Sequence, residues 1–505
     1  MDTIRHLLDG FQIALTLMNL FYCFIGVLWG TIVGVLPGIG PMGGLAILLP
    51  MTFKMEPTSG IIMLAGIFYG AMYGGSTTSI LLNIPGEAAS VVTCIDGYQM
   101  ARKGRAGPAL VVSALGSFVG GTLSIVALML FAPPLAKVML KIGPGEEFSL
   151  MLLALIVMSF VSRAPMLKTL TMILLGLLFA TVGMDPFTAH PRFTFGYTGF
   201  AEGLGFISMA IGLFGISEIL INFEEIASVE ALKPTLKSLL PRWKDLKDSA
   251  GAVGRGSLIG LVFGFIPGAA HIISAFVSYA VEKKISKHPE EFGTGRIEAV
   301  AGPETANNAA TGSALVPLLV LGIPAIPSTA LLMSALLVHN INPGPQLIQN
   351  HPDIFWGLIA SMYVGNCMLV FLNLPLVGIF VNFLRIPYSY LAPTILVICI
   401  VGVYGVSFNT IDIAVMGIFG IIGYLLRKFR FDVSTLILAV VLGDRIEMSF
   451  RRALTISEGS LLILIKSSFS KVFVIAALLI LILQTIAWLS GFRIRGETGS
   501  SNTQN

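Results

Sequence analysis

Charge is what this sequence has least of. Lys, Arg, Asp and Glu make up 11% of its 505 residues, whereas soluble domains carry about 25%. Hydrophobic residues make up 55%, and the mean hydropathy is +0.88. The net charge of +4 comes from Lys and Arg scattered between apolar runs, which indicates basic membrane loops rather than a nucleic-acid partner. The composition excludes a soluble domain and predicts a multi-pass protein in contact with membrane lipid.

Cysteine and catalytic motifs are also scarce. The four cysteines are far apart and have no metal-ligand or disulfide-framework spacing, which predicts structural thiols and no metal site. The motifs G-x-x-x-x-G-K-[ST], H-E-x-x-H and G-x-S-x-G are absent, so ATP-driven transport and the commonest hydrolase chemistries lack their signatures. A single G-x-G-x-x-G at 38–43 follows no predicted strand. We therefore expect neither an enzyme nor a bound cofactor.

Long apolar runs recur as far as about residue 490. At about 20 residues per crossing they predict an all-α polytopic fold with roughly 10 to 12 transmembrane segments. Basic loops at 102–105, 163–168 and 233–247 are expected in the cytoplasm, and the acidic or aromatic connections at 143–147 and 185–202 on the outer face. The C-terminal topology stays open, because the apolar segment at 433–443 is too short to span.

Two Pro-Gly sequences interrupt this apolar pattern. Gly34-Val35-Leu36-Pro37-Gly38 has a counterpart 230 positions later in Gly264-Phe265-Ile266-Pro267-Gly268. The apolar run 254–282 has basic residues at both ends, so both ends are expected on the cytoplasmic side. The arm on each side of its Pro-Gly sequence has only about 13 to 14 apolar residues, too few for a helix to cross about 30 Å. Re-entrant helical hairpins near 24–53 and 254–282 are therefore predicted, with their non-helical tips inside protein or beside water.

A second matched pair follows each hairpin. Ile84-Pro85-Gly86 and Ile323-Pro324-Ala325 lie 239 positions apart, and they predict interrupted helices near 58–99 and 299–340. No Lys or Arg occurs from 297 to 384, so the second unit is expected to end on the outer face and to be inverted relative to the first. The predicted organisation is a first repeat (1–106), connecting helices with a cytoplasmic loop (107–252), a second repeat (253–345), and C-terminal helices with a polar tail (346–505). Inverted repeats with broken helices are typical of secondary transporters.

Three long motifs carry a family resemblance: GVLPGIGP from 34, YGAMYGGSTTSILLNIPGEAAS from 69, and GPETANNAATGSALVPLLVLGIPAIPST from 302. With them the chain resembles the large membrane subunit of tripartite tricarboxylate transporters over nearly its full length, least after about residue 430. The resemblance implies a permease of the bacterial inner membrane that imports an organic tri- or dicarboxylate. It also implies a small four-helix membrane subunit and a periplasmic solute-binding protein as partners, with an ion gradient as the driving force.

A carboxylate substrate needs hydrogen-bond donors and positive potential, which half-helix N-termini and small polar side chains supply. The candidate binding residues are Pro37, Gly38, Ser76, Thr77, Thr78, Ser79, Asn83, Pro267, Gly268, Asn307, Asn308, Thr311 and Ser313. The alternative is helix packing, since small residues also let membrane helices approach closely.

Two acids, Glu87 and Glu304, stand beside the broken segments. Charged groups at membrane depth are costly, so either acid is a candidate for carrying a proton or binding a cation. The alternative is a carboxylate at a helix start near the interface. Neither acid has an acidic counterpart in the other repeat, and sodium could instead use backbone carbonyls. Asp96 and Arg102 are expected to form an interfacial ion pair or a topology signal.

The leading hypothesis is a secondary-active permease that uses a Na⁺ or H⁺ gradient. An elevator-like motion is expected only by analogy with other hairpin-bearing transporters. The alternatives are an integral-membrane enzyme acting on a lipid-linked substrate and a passive channel. The sequence leaves the carboxylate and the coupling ion open.

Overall fold

The computed structural model describes residues 2–36, 39–162, 164–224, 241–268, 270–383 and 388–489. Within these ranges the fold is all-α apart from one two-stranded ribbon. Six of the described helices are long and apolar enough to cross a membrane: Leu17–Val35, Ala106–Met139, Pro144–Val161, Pro352–Asn373, Thr410–Lys428 and Ser468–Ile486. The predicted class of all-α polytopic membrane protein is confirmed.

The first part of the chain forms two helical pairs, each with a break. Its helices are α1 (Asp2–Ala14), α2 (Leu17–Val35), α3 (Gly40–Thr52), α4 (Pro57–Leu82) and α5 (Val91–Arg102). Pro37 and Gly38, which stand between α2 and α3 in the sequence, lie outside the described residues. The segment 83–90 separates α4 from α5.

The middle part carries three long helices and the two-stranded ribbon. Its elements are α6 (Ala106–Met139), α7 (Pro144–Val161), α8 (Met166–Ala180), β1 (Gly183–Met184), β2 (Pro191–Arg192), α9 (Phe206–Ala210) and α10 (Ser217–Glu224). The ribbon is antiparallel, with Gly183 opposite Arg192. A π-helical turn, Ile211–Ile216, joins α9 to α10, and a 3₁₀ turn spans Thr198–Phe200. The predicted cytoplasmic residues Arg163, Lys233 and Lys237 lie outside the described residues.

The third part again contains a helical pair on either side of a Pro-Gly turn, followed by a broken helix. Its helices are α11 (Trp243–Gly264), α12 (Ala270–Ile285), α13 (Glu298–Ser313), α14 (Pro327–Val338) and α15 (Leu347–Asn350). A 3₁₀ turn, Pro289–Glu291, follows α12, and a π-helical turn, Pro317–Leu321, lies before the break that precedes α14.

The C-terminal part is α16 (Pro352–Asn373), α17 (Val377–Phe383), α18 (Tyr388–Ser407), α19 (Thr410–Lys428), α20 (Val433–Ile456), α21 (Ile463–Lys466) and α22 (Ser468–Leu489). Only 11% of the membrane-length window of α22 is buried. Large apolar residues such as Ile475, Leu479 and Leu483 are exposed on it, as expected for a helix that faces lipid.

Three predicted lengths are wrong. Helix α2, the arm before the first Pro-Gly sequence, begins at Leu17 rather than near residue 24, and its 19 residues are enough to cross a membrane. The arm before the second Pro-Gly turn has 22 residues, not 13 to 14, because α11 begins at Trp243 in the polar segment that the hydropathy argument excluded. At about 1.5 Å per residue this arm is long enough to cross about 30 Å, so arm length no longer argues for a re-entrant hairpin. The segment 433–443 is likewise part of the 24-residue helix α20, which continues through charged residues.

Helices α4 and α13 form the centre of the molecule. Residues 58–82 of α4 and 299–313 of α13 are buried without exception. Helix α2 packs against α4 through Gly26, Gly30 and Gly34, which share one face because they recur every fourth residue. A β-carbon on Gly30 would lie 2.6 Å from the carbonyl oxygen of Ile67, so the two backbones meet directly.

The same packing recurs 230 positions later in the pair α11 and α13. Gly256, Gly260 and Gly264 form the face of α11 that contacts α13. A β-carbon on Gly260 would lie 2.3 Å from the carbonyl oxygen of Ala306. Helix α6 covers another side of α13, where a β-carbon on Gly120 would lie 2.4 Å from the Thr305 carbonyl oxygen. Glycine therefore sets how closely the helices around the centre approach.

Candidate functional site

The two helix breaks have the same local geometry. Helix α4 ends at Asn83, which is left-handed with φ 60°, and the π-helical turn after α13 ends at Gly322 with φ 66°. These positions lie 239 apart in the chain, and each is followed by Ile-Pro. Left-handed backbone favours Gly and tolerates Asn, and the following Pro cannot continue a helix. Asn83, predicted as a binding residue, thus terminates a helix, and its side chain is exposed.

Glu304 lies at the centre of the candidate site. It is on α13 with 1% of its surface exposed. The hydroxyl of Ser76, from α4, donates to its Oε2, and the hydroxyl of Thr93, from α5, donates to its Oε1. The acid of the third part of the chain is thus bound by the first part. Thr93 was missed by sequence reasoning, because it lies past the break in a helix that was read only as a continuation.

Glu87 makes the reciprocal contact. It lies in the break between α4 and α5 with 6% of its surface exposed. Its Oε1 accepts a hydrogen bond from Asn307 Nδ2 of α13 at 2.9 Å, and its Oε2 accepts one from the backbone N–H of Ala89 at 2.8 Å. The Ser90 hydroxyl donates to the Glu87 carbonyl at 2.8 Å and lies 2.9 Å from the Ser79 hydroxyl. Both acids are buried inside the protein.

The remaining predicted hydroxyls and amides are buried but serve the helices around this junction. Thr311 donates to the Asn307 carbonyl and Ser313 to the Ala309 carbonyl, each at 2.8 Å within α13. Thr78 donates to the carbonyl of Val35 at the end of α2. Asn308 donates to the Ser117 hydroxyl of α6 at 2.8 Å. Thr77 is buried on α4.

The second Pro-Gly turn contacts the second break. Gly268, with φ 130°, donates its backbone N–H to the carbonyl of Ala325 at 2.6 Å. Pro267 precedes it in the same turn between α11 and α12. The structure therefore brings Pro267 and Gly268 to the Ile323-Pro324-Ala325 segment.

Arg445 of α20 is a further polar group that sequence reasoning missed. Its guanidinium donates to the carbonyl of Gly322 at 2.6 Å and to that of Pro343 at 3.2 Å. Among the described residues it forms no ion pair with an acid. The sequence signal that could have identified Arg445 is its position two residues after the apolar segment 433–443, inside the same helix. The sequence-based interpretation ended that helix too early.

Asp96 joins α5 to the loop that precedes α13 and does not pair with Arg102. The Arg102 side chain is exposed. The Asp96 carboxylate accepts bonds from the backbone N–H groups of Gly293, Gly295 and Arg296 at 2.7–2.9 Å. The Tyr279 hydroxyl of α12 donates to it at 3.0 Å. The predicted ion pair is therefore wrong for this residue.

The predicted outer connection carries an ion-pair network. Asp185 lies near Arg192 (3.6 Å) and Arg451 (2.9 Å), and Glu447 of α20 bonds Arg192 at 2.8 Å. The Arg451 hydrogen bond holds the pKa of the Asp185 carboxyl well below its usual range. A cavity of about 300 Å³ adjoins this network, with an apolar lining that includes Phe148 and Phe450.

Near the centre, a small cavity of about 20 Å³ is lined by polar groups that include Tyr73, Asn308 and Asn366. The Tyr73 hydroxyl donates to Asn366 Oδ1 at 2.5 Å. A space of this size holds a water molecule rather than a tricarboxylate. The junction is thus closely packed in this conformation.

Sequence similarity to known proteins identifies the family of this chain. Residues 20–438 match the Tripartite tricarboxylate transporter TctA family. An uncharacterized 52.8 kDa protein of the TAR-I ttuC' 3'region of Agrobacterium vitis is 48% identical over 465 residues, 92% of this chain and 93% of the relative. An uncharacterized protein of the TAR-II ttuC' 3'region of the same organism is 47% identical over 200 residues, 40% of this chain and 83% of the relative. No solved structure matches the chain.

The family match ends at residue 438, near the point where the motif resemblance weakens. It covers both helix breaks, both acids and both glycine-striped helices described above. The chain belongs to the TctA family of tripartite tricarboxylate transporters, as a multi-pass membrane component of that transporter class.

Proposed function

We propose that this chain is the large permease subunit of a binding-protein-dependent transporter that imports an organic tri- or dicarboxylate across a bacterial inner membrane. A periplasmic solute-binding protein delivers the substrate, and a small four-helix membrane subunit completes the permease. A gradient of Na⁺ or H⁺ drives import. Family membership makes the chain part of this transporter class. The identities of the substrate class, the coupling ion and the partners are what we propose.

One observation carries the proposal: two broken helices, one from each predicted repeat, meet at the centre and exchange hydrogen bonds. Glu304 of the second accepts from Ser76 and Thr93 of the first, while Glu87 of the first accepts from Asn307 of the second. Secondary transporters bind substrate and coupling ion where such half-helices meet. A movement of one repeat relative to the other changes both sets of bonds at once, which couples the site to alternating access.

The breaks also supply groups suited to a carboxylate. Backbone N–H groups are freed where a helix starts, and the positive end of its dipole favours an anion. Helix α5 starts just after Glu87, and α14 starts after the Ile-Pro-Ala segment. Arg445, bonded to the carbonyl of Gly322, adds a full positive charge at the second break. In an open conformation these groups form the substrate site.

The test is uptake of labelled di- and tricarboxylates into proteoliposomes that contain this chain and its small subunit. Cognate binding protein is present or omitted, and Na⁺ or H⁺ gradients are imposed separately. Saturable uptake that needs both the binding protein and a gradient supports the proposal. Uptake without saturation would indicate a channel, and turnover of a lipid-linked substrate without any gradient would indicate an enzyme; either result contradicts it.

A further inference from the structure

All four carboxylate oxygens of Glu87 and Glu304 accept hydrogen bonds. Those of Glu304 accept from the hydroxyls of Thr93 and Ser76. Those of Glu87 accept from the Asn307 side-chain amide and the Ala89 backbone. The two partners of Glu87 are N–H groups, which only donate, so both of its oxygens act as acceptors.

This pair of acids has no cationic side chain to balance it. Among the described residues no Lys, Arg or His forms an ion pair with Glu87 or Glu304. Glu282, a buried acid on α12, differs in this respect, since the Arg255 guanidinium donates two hydrogen bonds to it at 2.6 and 2.8 Å. An unbalanced charge at membrane depth is costly and calls for a partner from outside the chain.

One polar atom at the same place has no partner. Asn307 is 1% exposed, and its Oδ1 accepts no hydrogen bond, although its Nδ2 is bonded to Glu87. A buried amide oxygen left unpaired costs free energy, so it marks a position where something else belongs. Asn307 is bonded to Glu87 and lies three residues from Glu304 on α13, and an amide oxygen beside acids is suited to a cation rather than to an anion.

We propose that Glu87, Glu304 and Asn307, with the hydroxyls of Ser76 and Thr93, form a sodium site at the junction of the two broken helices. The inference deepens the proposed transport function and rests on it, because it assigns the coupling ion to a place. Ser76 and Thr93 each donate their hydroxyl hydrogen to Glu304 and keep two oxygen lone pairs, which are free to contact the ion. Bound sodium would then join groups from α4, α5 and α13.

The chemistry and the space both favour Na⁺. All five candidate ligands bind through oxygen, which suits hard cations and gives no preference to a transition metal. The junction is narrow: a β-carbon on Gly75 would lie 2.9 Å from Glu87 Cγ, and one on Gly86 would lie 2.6 Å from the Gly75 Cα. A larger monovalent ion fits such a site poorly, and Mg²⁺ retains several waters that need more room.

Sodium binding is measured on the purified full chain with its small subunit in lipid nanodiscs, without any carboxylate. The probe is NaCl against KCl and choline chloride at equal ionic strength, with ²²Na⁺ binding and the midpoint of thermal unfolding as readouts. We expect Na⁺ to raise the midpoint by about 5 °C at a hundredfold excess over its Kd. Equal stabilisation by K⁺ or choline would overturn the proposal.

The variants test the ligands one by one. Glu304→Gln should abolish ²²Na⁺ binding. Thr93→Val should weaken ²²Na⁺ binding at least about tenfold. If Glu304→Gln fails to fold, Thr93→Val is the decisive variant. Ser334→Ala is the matched control, because Ser334 is also a buried helical hydroxyl but donates only to the Ala330 carbonyl of its own helix. Wild-type Na⁺ affinity in both site variants would overturn the proposal.

Its failure can be told apart from failure of the proposed function. Specific Na⁺ binding that depends on Glu304, without uptake of any carboxylate, would support this site and contradict the transport proposal. Carboxylate uptake driven by a pH gradient, in protein that binds no ²²Na⁺, would support transport and overturn the sodium site.

Discussion

Helices α4 and α13 hold matching places in the two predicted repeats but differ in chemistry. Both are buried along their length, and each packs against a helix with glycine at every fourth position. Helix α4 presents small hydroxyl residues such as Ser76 to the junction, while α13 presents Glu304 and Asn307. Glycine packing is thus common to the two predicted repeats, whereas of these two helices it is α13 that carries an acid and an amide at the junction; the other acid, Glu87, lies in the break after α4.

The glycine faces give the largest expected effect. Gly30→Ala and Gly260→Ala each place a β-carbon within 2.6 Å of a backbone carbonyl oxygen, so the paired helices must separate. Overpacking of this kind costs about 1–3 kcal/mol or more, and we expect loss of most folded protein. Gly254→Ala is the control, since nothing lies within 4 Å of a β-carbon there. Size-exclusion profiles and unfolding midpoints in detergent provide the measurement.

These three variants test whether the two glycine faces are equivalent. If Gly30→Ala behaves like the Gly254→Ala control while Gly260→Ala does not fold, the two glycine faces are not equivalent and the shared-packing interpretation fails.

The Asp96 anchor has the next largest expected effect, because it joins α5 of the first repeat to the loop after α12 of the second. Asp96→Asn replaces a carboxylate that accepts three backbone bonds with a group that has one acceptor oxygen. Hydrogen bonds to charged groups contribute about 1.5–3 kcal/mol, so we expect a loss of about 2 kcal/mol in stability. Tyr279→Phe removes one neutral donor and should cost less, about 1 kcal/mol.

Unfolding midpoints of the two variants in the same lipid check the order. A larger loss for Tyr279→Phe than for Asp96→Asn would show that the hydroxyl, and not the backbone cradle, holds the two repeats together here.

Arg445 is a functional difference between the two breaks. Its guanidinium donates to the carbonyl of Gly322 in the second break, and the corresponding residue of the first break is Asn83. Arg445→Gln should reduce uptake efficiency about tenfold, equal to about 1.4 kcal/mol, through a higher substrate KM. Arg445→Lys keeps the positive charge but loses the planar guanidinium that donates to two carbonyls, so its uptake efficiency should fall between those of the wild type and Arg445→Gln. Concentration-dependent uptake in proteoliposomes measures both; an unchanged KM with normal expression argues for a structural role alone.

The smallest effect is expected at Asn83, the left-handed end of α4. Asn83→Gly keeps the backbone conformation and should change the free energy of unfolding by only a few tenths of a kcal/mol, whereas Asn83→Ala should cost about 1 kcal/mol. Gly322→Ala is the contrasting variant and should cost more, because its β-carbon would lie 2.1 Å from the Arg445 guanidinium and 2.5 Å from the Pro343 carbonyl oxygen. Thermal unfolding midpoints measure all three variants, and equal losses for the two alanine variants would mean that Arg445 and the Pro343 backbone adjust without cost.

Local signals of this kind were readable from the sequence. Pro-Gly and Ile-Pro sequences in apolar runs marked the turn at Gly268 and the breaks at Asn83 and Gly322, because Gly and Pro act on their own backbone. The two acids were singled out because charge is costly in a membrane. The family followed from the long motifs around them.

What could not be predicted depends on contacts between distant segments. The link from Glu304 to Thr93 joins residues 211 apart, and no periodicity reports it. Helix α11 was drawn too short because its first turns are polar while the helix continues unbroken, and α20 was ended early for the same reason at Arg445. Hydropathy measures where a helix meets lipid and not where it ends.

The reciprocal bonds at the junction also set a problem for biosynthesis. Glu87 leaves the ribosome 220 residues before Asn307, and Ser76 leaves it 228 residues before Glu304. At about 5–20 residues per second the first repeat waits roughly 10 to 45 s for its partners. During that interval Glu87 must stay in contact with water or with the insertion machinery, since lipid offers it no hydrogen bond. The first repeat therefore cannot complete its folding until the second has been made.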